Sequence, residues 1–539
     1  MIALRTFNFH LSSVQFLIGA SVVMSLLFNA PFLMHVYESA SPDTLREWLF
    51  YFSVPVLLSS INIVFFSLVG ALFTPRVVVA VSVFIASFLL YANVSFGIIF
   101  DSTMIQNLAE TNSGEVLSYL NVSVILFLLV AGALPLIFIT RLTLRDSLLK
   151  RVKIIFFLNV VAALTIVLIG AIFYKDYSSV GRNNKGLVKY IIPYAFYDSA
   201  AKYVRNTYLY AELPYRVLDE SPVLAGDAAV EPHTTVVVVG ETARADKFAS
   251  NGYYRQTTRN IESLGAVSFS HVESCGTATA VSVPCMFSRL SREEYESRVA
   301  DKQDNALDII QRAGVNVTWI DNNSSCKGVC KRVDTIEFDP TRDPSLCDGE
   351  FCFDQILLNE LRSELQKKPD QNRIIVLHMI GSHGPTYYRR YPEKDSKFLP
   401  DCPRSDIQNC SSEQLTNTYD NTIAYTDLVL SKLINLLKDS KADDKSLLYV
   451  SDHGESLGEK GLYLHGFPYA LAPKEQTQVP MLFWSNKLAD TRFNQCIEQQ
   501  RNHAFSHDNI FDTLLGLTHV QSTEYHPEQD IFNACSTQS

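Results

Sequence analysis

Five uncharged apolar stretches follow one another in the first third of this chain, and they restrict its fold more than any other feature. They run Val14–Met34, Trp48–Leu72, Val77–Phe100, Leu117–Thr140 and Ile154–Tyr174. Crossing about 30 Å of hydrocarbon takes roughly 20 helical residues, and each stretch is long enough. Cores of soluble proteins rarely carry such runs in succession. The pattern therefore predicts a five-helix transmembrane domain over residues 1–174, with the first helix an uncleaved anchor because four more spans follow it.

The loops give the orientation. Arg5 precedes the first stretch, Arg76 lies between the second and third, and Arg141, Arg145, Lys150, Arg151 and Lys153 lie between the fourth and fifth. The alternate loops carry Glu38, Asp43, Glu47, Asp101, Glu110 and Glu115, with Arg46 as their only Lys or Arg. Basic loops stay in the cytoplasm. The N-terminus is then cytoplasmic, and five crossings put the rest of the chain outside. The overall charge of -10 argues against a nucleic-acid partner.

An exported domain explains the cysteines. All ten lie from Cys275 onward, and an even count outside the cytosol implies disulfides. Cys275/Cys285, Cys326/Cys330, Cys347/Cys352 and Cys402/Cys410 are neighbours in sequence, which leaves Cys496 and Cys535 as a distant pair. Spacing does not establish connectivity. The rival reading of Cys326-Lys-Gly-Val-Cys330 as a zinc site lacks a matching second pair.

Residues 175–230 read as an interfacial amphipathic segment and linker. Arg182, Lys185 and Lys189 alternate with Leu187, Val188, Tyr190 and Ile191, and Tyr174, Tyr177, Tyr190, Tyr194, Tyr197, Tyr203, Tyr208, Tyr210 and Tyr215 suit an aromatic belt. A plain spacer is the alternative. The Pro-, Gly- and Ala-containing stretch 219–231 is the expected hinge. In the loop after the third apolar stretch, Asn107, Thr111 and Glu115 fall at i, i+4 and i+8, one face of a helix. An amide, a hydroxyl and a carboxylate there suit a zwitterionic head group, although a solvated polar face has the same spacing.

Residues 231–539 read as a globular α/β domain. Three largely β-branched runs, Thr234–Gly240, Arg373–Gly381 and Ser446–Ser451, end abruptly at Glu241, at Ser382-His383 and at Asp452-His453. Helical patterns at Ala306–Ala313, Asp354–Gln366 and Tyr419–Leu437 lie between them. Runs buried on both faces and alternating with helices predict a parallel sheet, whose ligands bind beyond the carboxyl ends of its strands. Glu241, Asp452, His453 and His383 at that edge, with His465 further on, form a carboxylate and imidazole set suited to one or two Zn²⁺ ions. The segment Ser274-Cys-Gly-Thr-Ala-Thr-Ala-Val-Ser282 opens a helix and offers Thr277 as a nucleophile, with Thr279 and Ser282 as rivals.

With these segments in view the chain resembles the lipid A phosphoethanolamine transferases, the family of the chromosomal and mobile colistin-resistance enzymes. Val239-Gly-Glu-Thr-Ala-Arg, Ser274-Cys-Gly-Thr-Ala-Thr-Ala-Val-Ser-Val-Pro-Cys, Gly381-Ser-His-Gly-Pro, Ser451-Asp-His-Gly-Glu-Ser-Leu-Gly-Glu, Asp321-Asn-Asn and Cys326-Lys-Gly-Val-Cys carry the likeness, in the family's order and over nearly the whole chain. The resemblance implies a periplasmic domain of alkaline-phosphatase/sulfatase-like fold on a multi-pass protein of the bacterial inner membrane. It implies a first zinc held by Glu241, Thr277, Asp452 and His453, with Thr277 the nucleophile. It implies that His383 and His465 take a second zinc or the phosphate, that His378 supports them, and that Lys327 contacts the phosphoryl group or the acceptor. It links Asn107, Thr111 and Glu115 to head-group binding. Phosphatidylethanolamine would be the donor, lipid A the acceptor, colistin resistance the outcome, and a monomer the working form.

Other readings stay in view. The same fold hosts zinc hydrolases, but the C/S-x-P-x-R signature of sulfatases is missing around Thr277, and Cys285-Met-Phe-Ser-Arg does not fit it. A transferase using a core sugar or a protein acceptor shares every motif. A catalytically silent binding protein would not need Glu241, Thr277, His383, Asp452, His453 and His465 together.

Overall fold

The computed structural model describes residues 9–111, 113–144, 146, 148–225, 232–367 and 371–536. Arg5, Arg145 and the 226–231 part of the expected hinge lie outside them. The chain forms two compact units. One comprises residues 1–101 and 121–202, the other 102–120 and 203–539. The stretch 102–120, between two membrane helices in sequence, belongs with the second unit.

The first unit is helical. Leu45–Leu72, Pro75–Phe96, Val122–Arg141 and Lys150–Asn183 are each long and apolar enough to cross a membrane, and Ser13–Phe28 with Ala30–Ala40 adds a fifth if this pair, bent by 61°, counts as one span. Apolar Phe156, Leu164 and Val167 are exposed on the last of these helices, as lipid-facing side chains are. Several polar side chains inside the bundle find partners, as the absence of water favours. Asn62 donates to Ser25 Oγ at 2.9 Å and Asn159 to Ser67 Oγ at 2.8 Å. Phe9–Leu11 pairs in parallel with Leu142–Leu144, so the N-terminal segment and the fourth loop share one end of the bundle, as the charge reading requires.

The last apolar helix is kinked at Phe173, where the torsions are non-helical, beside the expected end of the span at Tyr174, and a second helical stretch carries on to Asn183. Several tyrosines of the expected belt are instead held within the bundle. Tyr177 OH meets Ser53 Oγ at 2.9 Å, Tyr194 OH donates to Asn62 at 2.6 Å, and Tyr197 OH meets Ser82 Oγ at 3.0 Å. A buried phenol O–H needs such a partner.

The second unit is built on a seven-stranded sheet. In chain order its strands are β1 (His233–Gly240), β2 (Val267–Phe269), β3 (Asn316–Asp321), β4 (Asp334–Glu337), β5 (Arg373–His378), β6 (Asp444–Ser451) and β7 (Met481–Ser485). The spatial order is β2-β7-β6-β1-β5-β3-β4. From β6 to β4 all neighbours are parallel, and β7 runs antiparallel to both its neighbours. Val236–Val239 of β1 are fully buried. Each such valine contributes roughly 1.5–3 kcal/mol, so a charge at Val237 would break the sheet at its centre. The register aligns the strand ends, with Ser451 beside Gly240 and Val239 beside His378. Glu241 and Asp452 thus leave the sheet side by side.

The cysteines form five disulfides, and their partners are the sequence neighbours. The bridges are Cys275–Cys285, Cys326–Cys330, Cys347–Cys352, Cys402–Cys410 and the long-range Cys496–Cys535. They staple loops and do not serve as ligands or nucleophiles, since an oxidised sulfur has no thiolate to offer. Cys347 and Cys352 close a turn in which Cys352 O accepts from Asn322 Nδ2 at 3.1 Å. Cys402 and Cys410 tie down the loop before the long helix Ser412–Lys438, where Cys402 N donates to Thr418 Oγ1 at 2.6 Å and Cys410 N to Ile407 O at 3.0 Å. Cys275, Cys285 and Asp508 have the spacing of a metal site, but the bridge between the two cysteines removes both sulfurs from that role.

Candidate active site

Glu241, Asp452 and His453 are fully buried at the ends of β1 and β6. One ligand atom from each lies within 4.8 Å of the others. His453 Nδ1 donates to Gly454 O at 2.9 Å, which leaves the Nε2 lone pair facing Asp452 Oδ2 at 3.3 Å and Glu241 Oε1 at 3.6 Å. Asp452 Oδ1 accepts from the N–H groups of Thr242 and His453, while its buried Oδ2 has no hydrogen-bond partner among the described residues. Burial holds the His453 imidazole below its usual pKa and therefore neutral. Burial, then the Asp452 carboxylate, drives the Glu241 carboxyl well above its usual range. Two carboxylates and a neutral imidazole with one orphaned oxygen form a donor set that fits a zinc ion. Two glycines permit this crowding. A Cβ at Gly454 would stand 2.1 Å from Glu475 O, and one at Gly381 (φ +47°) 2.7 Å from Glu241 O.

The three candidate nucleophiles separate. The helix Thr279–Met286 begins after Ala278, and Thr279 Oγ1 stands 3.2 Å from both Glu241 carboxylate oxygens and 3.3 Å from His453 Nε2. Thr277 is turned the other way. Its hydroxyl donates to Phe467 O and its carbonyl accepts from Gly466 N, each at 2.6 Å. Thr277 therefore anchors the loop that carries His465 and is not among the ligand atoms. Ser282 Oγ donates to the Asp452 carbonyl.

A second group adjoins the first. His465 Nδ1 donates to Glu455 Oε2 at 2.9 Å, and its ring centroid is 4.5 Å from that of His453 and 5.4 Å from that of His383. His383 Nε2 is 3.5 Å from Glu115 Oε1. Burial is the largest influence on His465 and lowers its pKa, but the charge and hydrogen bond of Glu455, with Glu115 and Asp452, together outweigh it and the net shift is upward. His383 is pushed well below its usual value by burial and then by His465. Burial raises the Glu115 carboxyl, against the pull of His465, Lys327 and Arg390. His453, Glu455 and His465 together also have the reach to hold an ion.

The remaining expected residues are more scattered. Lys327 sits in the left-handed region (φ +48°) inside the Cys326–Cys330 bridge, and its Nζ donates to Ser324 Oγ at 2.9 Å and Glu110 O at 3.4 Å. Its charge lowers both Glu115 and Glu241. His378 lies buried at the end of β5, 3.2 Å from Asp321 Oδ2 and against Trp319. Asn107 and Thr111 do not share one continuous helix face with Glu115. The helix Ser102–Glu110 ends and another, Ser113–Ser118, begins, so the i, i+4, i+8 spacing does not apply across the break. Of the three, Glu115 reaches the histidines.

Glu455, Arg390 and His507 are participants that the motifs alone do not single out. Glu455 stands in the quoted Asp452-His-Gly-Glu run but its partner is ten residues on. Arg390 is buried, donates to His383 O at 2.8 Å, and is lowered to about 10 by burial and by Arg389, so it stays charged. His507, lowered to about 4 mainly by burial, accepts from Cys275 N at 3.1 Å and donates to Ser451 O at 3.0 Å. It ties the segment leading to Thr279 to the end of β6.

Comparison with known proteins agrees with this geometry. Residues 233–520 match the family model described as Sulfatase, and residues 58–208 the one described as Phosphoethanolamine transferase EptA/EptB. Phosphoethanolamine transferase EptA of Escherichia coli (strain K12) is 38% identical over 539 residues, covering 97% of both chains. The chain belongs to the phosphoethanolamine transferases. The transferase superposes with TM-score 0.93 on a solved structure, the integral membrane lipooligosaccharide phosphoethanolamine transferase A (EptA) of Neisseria meningitidis, at 36% identity over 98% of this chain and 99% of that one. The phosphatidylethanolamine transferase Mcr-1 of Escherichia coli is 37% identical over 448 residues, 80% of this chain and 81% of that protein. The transferase is thus an integral membrane enzyme with N-terminal membrane helices and a periplasmic catalytic domain of sulfatase type.

Proposed function

We propose that this transferase moves phosphoethanolamine from phosphatidylethanolamine to a phosphate of lipid A through a covalent intermediate on Thr279. The observation that carries the reading is the hydroxyl of Thr279, 3.2 Å from both oxygens of Glu241. Thr277, the nucleophile that the resemblance favours, gives this role to Thr279 because its own hydroxyl is committed to Phe467 O. Glu241, Asp452, His453 and Thr279 would hold one zinc ion. Bound there, zinc supplies Lewis-acid polarisation of the Thr279 hydroxyl and of a phosphoryl oxygen.

Two displacements follow. In the first, the Thr279 oxygen attacks phosphorus and passes its proton to the Glu241 carboxylate it faces. The bond from phosphorus to the glycerol oxygen breaks, and diacylglycerol departs with a proton from His465, which Glu455 keeps charged. In the second, a lipid A phosphate oxygen attacks the phosphothreonine and loses its proton to His465. The bond to Thr279 breaks and the hydroxyl regains its proton from Glu241. Lys327 and His383 face the phosphoryl oxygens. The charge on His465 suits this anion better than a second zinc. Glu115, with Asn107 and Thr111 nearby in sequence, meets the ethanolamine ammonium, whose arrival favours the charged carboxylate that burial alone disfavours.

Counting the bent helix pair as one span gives five crossings and a cytoplasmic N-terminus. The transferred ammonium reduces the negative charge of lipid A, which weakens its attraction for cationic polymyxins such as colistin.

The test is mass spectrometry of lipid A from cells expressing wild type, Thr279→Ala or Thr277→Ala, with peptide mapping of the purified proteins. One added phosphoethanolamine with wild type, none with Thr279→Ala, and a phosphoethanolamine adduct on the Thr279 peptide are expected. Full modification by Thr279→Ala would refute the assignment.

A further inference from the structure

A cavity of about 1130 Å³ in the second unit opens against the nucleophile helix, where Ala280, the residue after Thr279, forms part of its lining. Gln106 closes one side by donating to Ala280 O at 3.3 Å. Five cations border the cavity, and they divide into two kinds. Lys331 and Arg332 are paired with Asp301 and Asp308. Arg298, Lys302 and Lys327 are half-buried and, among the described residues, form no ion pair. The Arg298 guanidinium lies over the Tyr210 ring at 4.9 Å.

Half-buried cations without a counter-charge are costly to maintain in a folded protein. Lys327 already acts on Glu115 and Glu241, so the demand for anions at this cavity comes from Arg298 and Lys302, and guanidinium and ammonium groups are the usual partners of phosphate oxygens. Of the acids in the lining, Asp301 is paired with Lys331 and half-buried Glu110 accepts from Gln106 Nε2 at 3.1 Å, while Glu212 and Glu296 are exposed to solvent, so their opposing charge is screened. Tyr210 and Tyr295 add flat apolar faces of the kind that pack against the C–H face of a sugar ring. The volume is ample for a disaccharide. Lys327 belongs both to this cavity and to the reacting groups, since its charge acts on Glu115 and Glu241.

We propose that this cavity receives the phosphorylated sugar head group of the acceptor lipid, with Arg298 and Lys302 on phosphate oxygens remote from the one that reacts. The proposal rests on the transferase reading above and adds where the acceptor sits. It makes Arg298 and Lys302 specificity determinants for an anionic acceptor, separate from the groups that act on the donor.

The experiment uses the full-length protein in nanodiscs. Equilibrium binding of a bisphosphorylated glucosamine-disaccharide glycolipid is measured for wild type, Arg298→Ala and Lys302→Ala, beside the dephosphorylated glycolipid and inorganic phosphate as a competitor. Diacylglycerol release from phosphatidylethanolamine is followed in parallel and reports folding. Each variant is expected to bind the phosphorylated glycolipid about tenfold more weakly, the equivalent of one lost charge-assisted hydrogen bond. Diacylglycerol release should stay within about twofold of wild type on the same grounds, and inorganic phosphate should displace little glycolipid. Unchanged affinity in both variants, or equal wild-type affinity for the phosphorylated and dephosphorylated glycolipids, would overturn the proposal. Ready displacement by inorganic phosphate would overturn the sugar part of it. Phosphate-dependent glycolipid binding without diacylglycerol release by wild type would instead refute the transferase chemistry and leave the cavity assignment standing.

Discussion

His465 Nδ1 and Glu455 Oε2 are 2.9 Å apart in a fully buried setting. Tyr387 OH donates to the same carboxylate, so Glu455 is held from two sides. Burial is the largest single influence on the imidazole and lowers its pKa, but the charge and hydrogen bond of this carboxylate, together with Glu115 and Asp452, raise it above its usual value. Glu455→Gln removes that charge and lowers the His465 pKa. If His465 supplies the leaving-group proton, kcat falls by about 10–100-fold, and the alkaline limb of the pH profile moves to lower pH. A pH–rate profile with an unmoved alkaline limb would argue that His465 is not the acid.

Metal content gives a second check. One zinc per chain is expected in the purified protein, and Asp452→Asn should lose most of it, because the orphaned Asp452 oxygen is the ligand left waiting. Elemental analysis of both proteins decides this, and two tightly held zinc ions per chain would return His383, His453, Glu455 and His465 to consideration as a second metal site.

The Cys326–Cys330 bridge closes a small loop around Lys327. By chain entropy such a loop contributes about 2 kcal/mol, modest beside its effect on geometry, since Lys327 occupies a left-handed torsion that a lysine avoids when free. Cys326→Ser with Cys330→Ser should therefore reduce transfer nearly as far as Lys327→Ala does, while the melting temperature drops by only a few degrees. Wild-type turnover by the double serine variant would show that Lys327 holds its place without the bridge.

Two carboxyls away from the site set a pH dependence of stability. Asp427 and Asp530 are each raised to about 6, by burial first. The N–H donors of Asn260 and Ile261 pull Asp427 the other way without overcoming that term. A carboxyl that binds its proton more tightly folded than unfolded stabilises the fold below about pH 4, and this stabilisation is lost as pH rises through 6. For Asp427 the change is on the order of 3 kcal/mol. The melting temperature of wild type should fall between pH 4.5 and 7, and Asp427→Asn should flatten that slope whatever its own starting stability. Parallel slopes for the two proteins would contradict this.

The sheet edge was readable because its chemistry is local. Runs such as Thr234–Gly240 and Ser446–Ser451 are buried strands on composition alone, and a parallel arrangement then obliges Glu241 and Asp452 to emerge together. The choice between Thr277 and Thr279 was not readable. The two differ by one residue between them, and which one faces the carboxylates depends on the helix starting after Ala278. The Glu455–His465 pair was hidden because it forms across a turn that periodicity does not report. The break between Glu110 and Ser113 removed the helical face that joined Asn107 to Glu115, and nothing in the polar spacing announces it. The tyrosines of the connector looked interfacial because composition shows their amphipathic character and not the buried Ser53, Asn62 and Ser82 that bind them.

The segment Ser102–Leu120 belongs to the catalytic unit yet is encoded between two membrane helices. It brings Glu115 to His383 and Gln106 to Ala280. Such an enzyme is not a pair of exchangeable cassettes. A gene fusion that grafted residues from 203 onward to a foreign anchor would inherit the proposed zinc ligands and the proposed nucleophile but not the carboxylate beside His383 or one wall of the cavity. Recombination within this family should therefore favour crossovers that keep the two stretches of one parent together, and chimaeras split at the linker should need the matching short segment to recover full turnover.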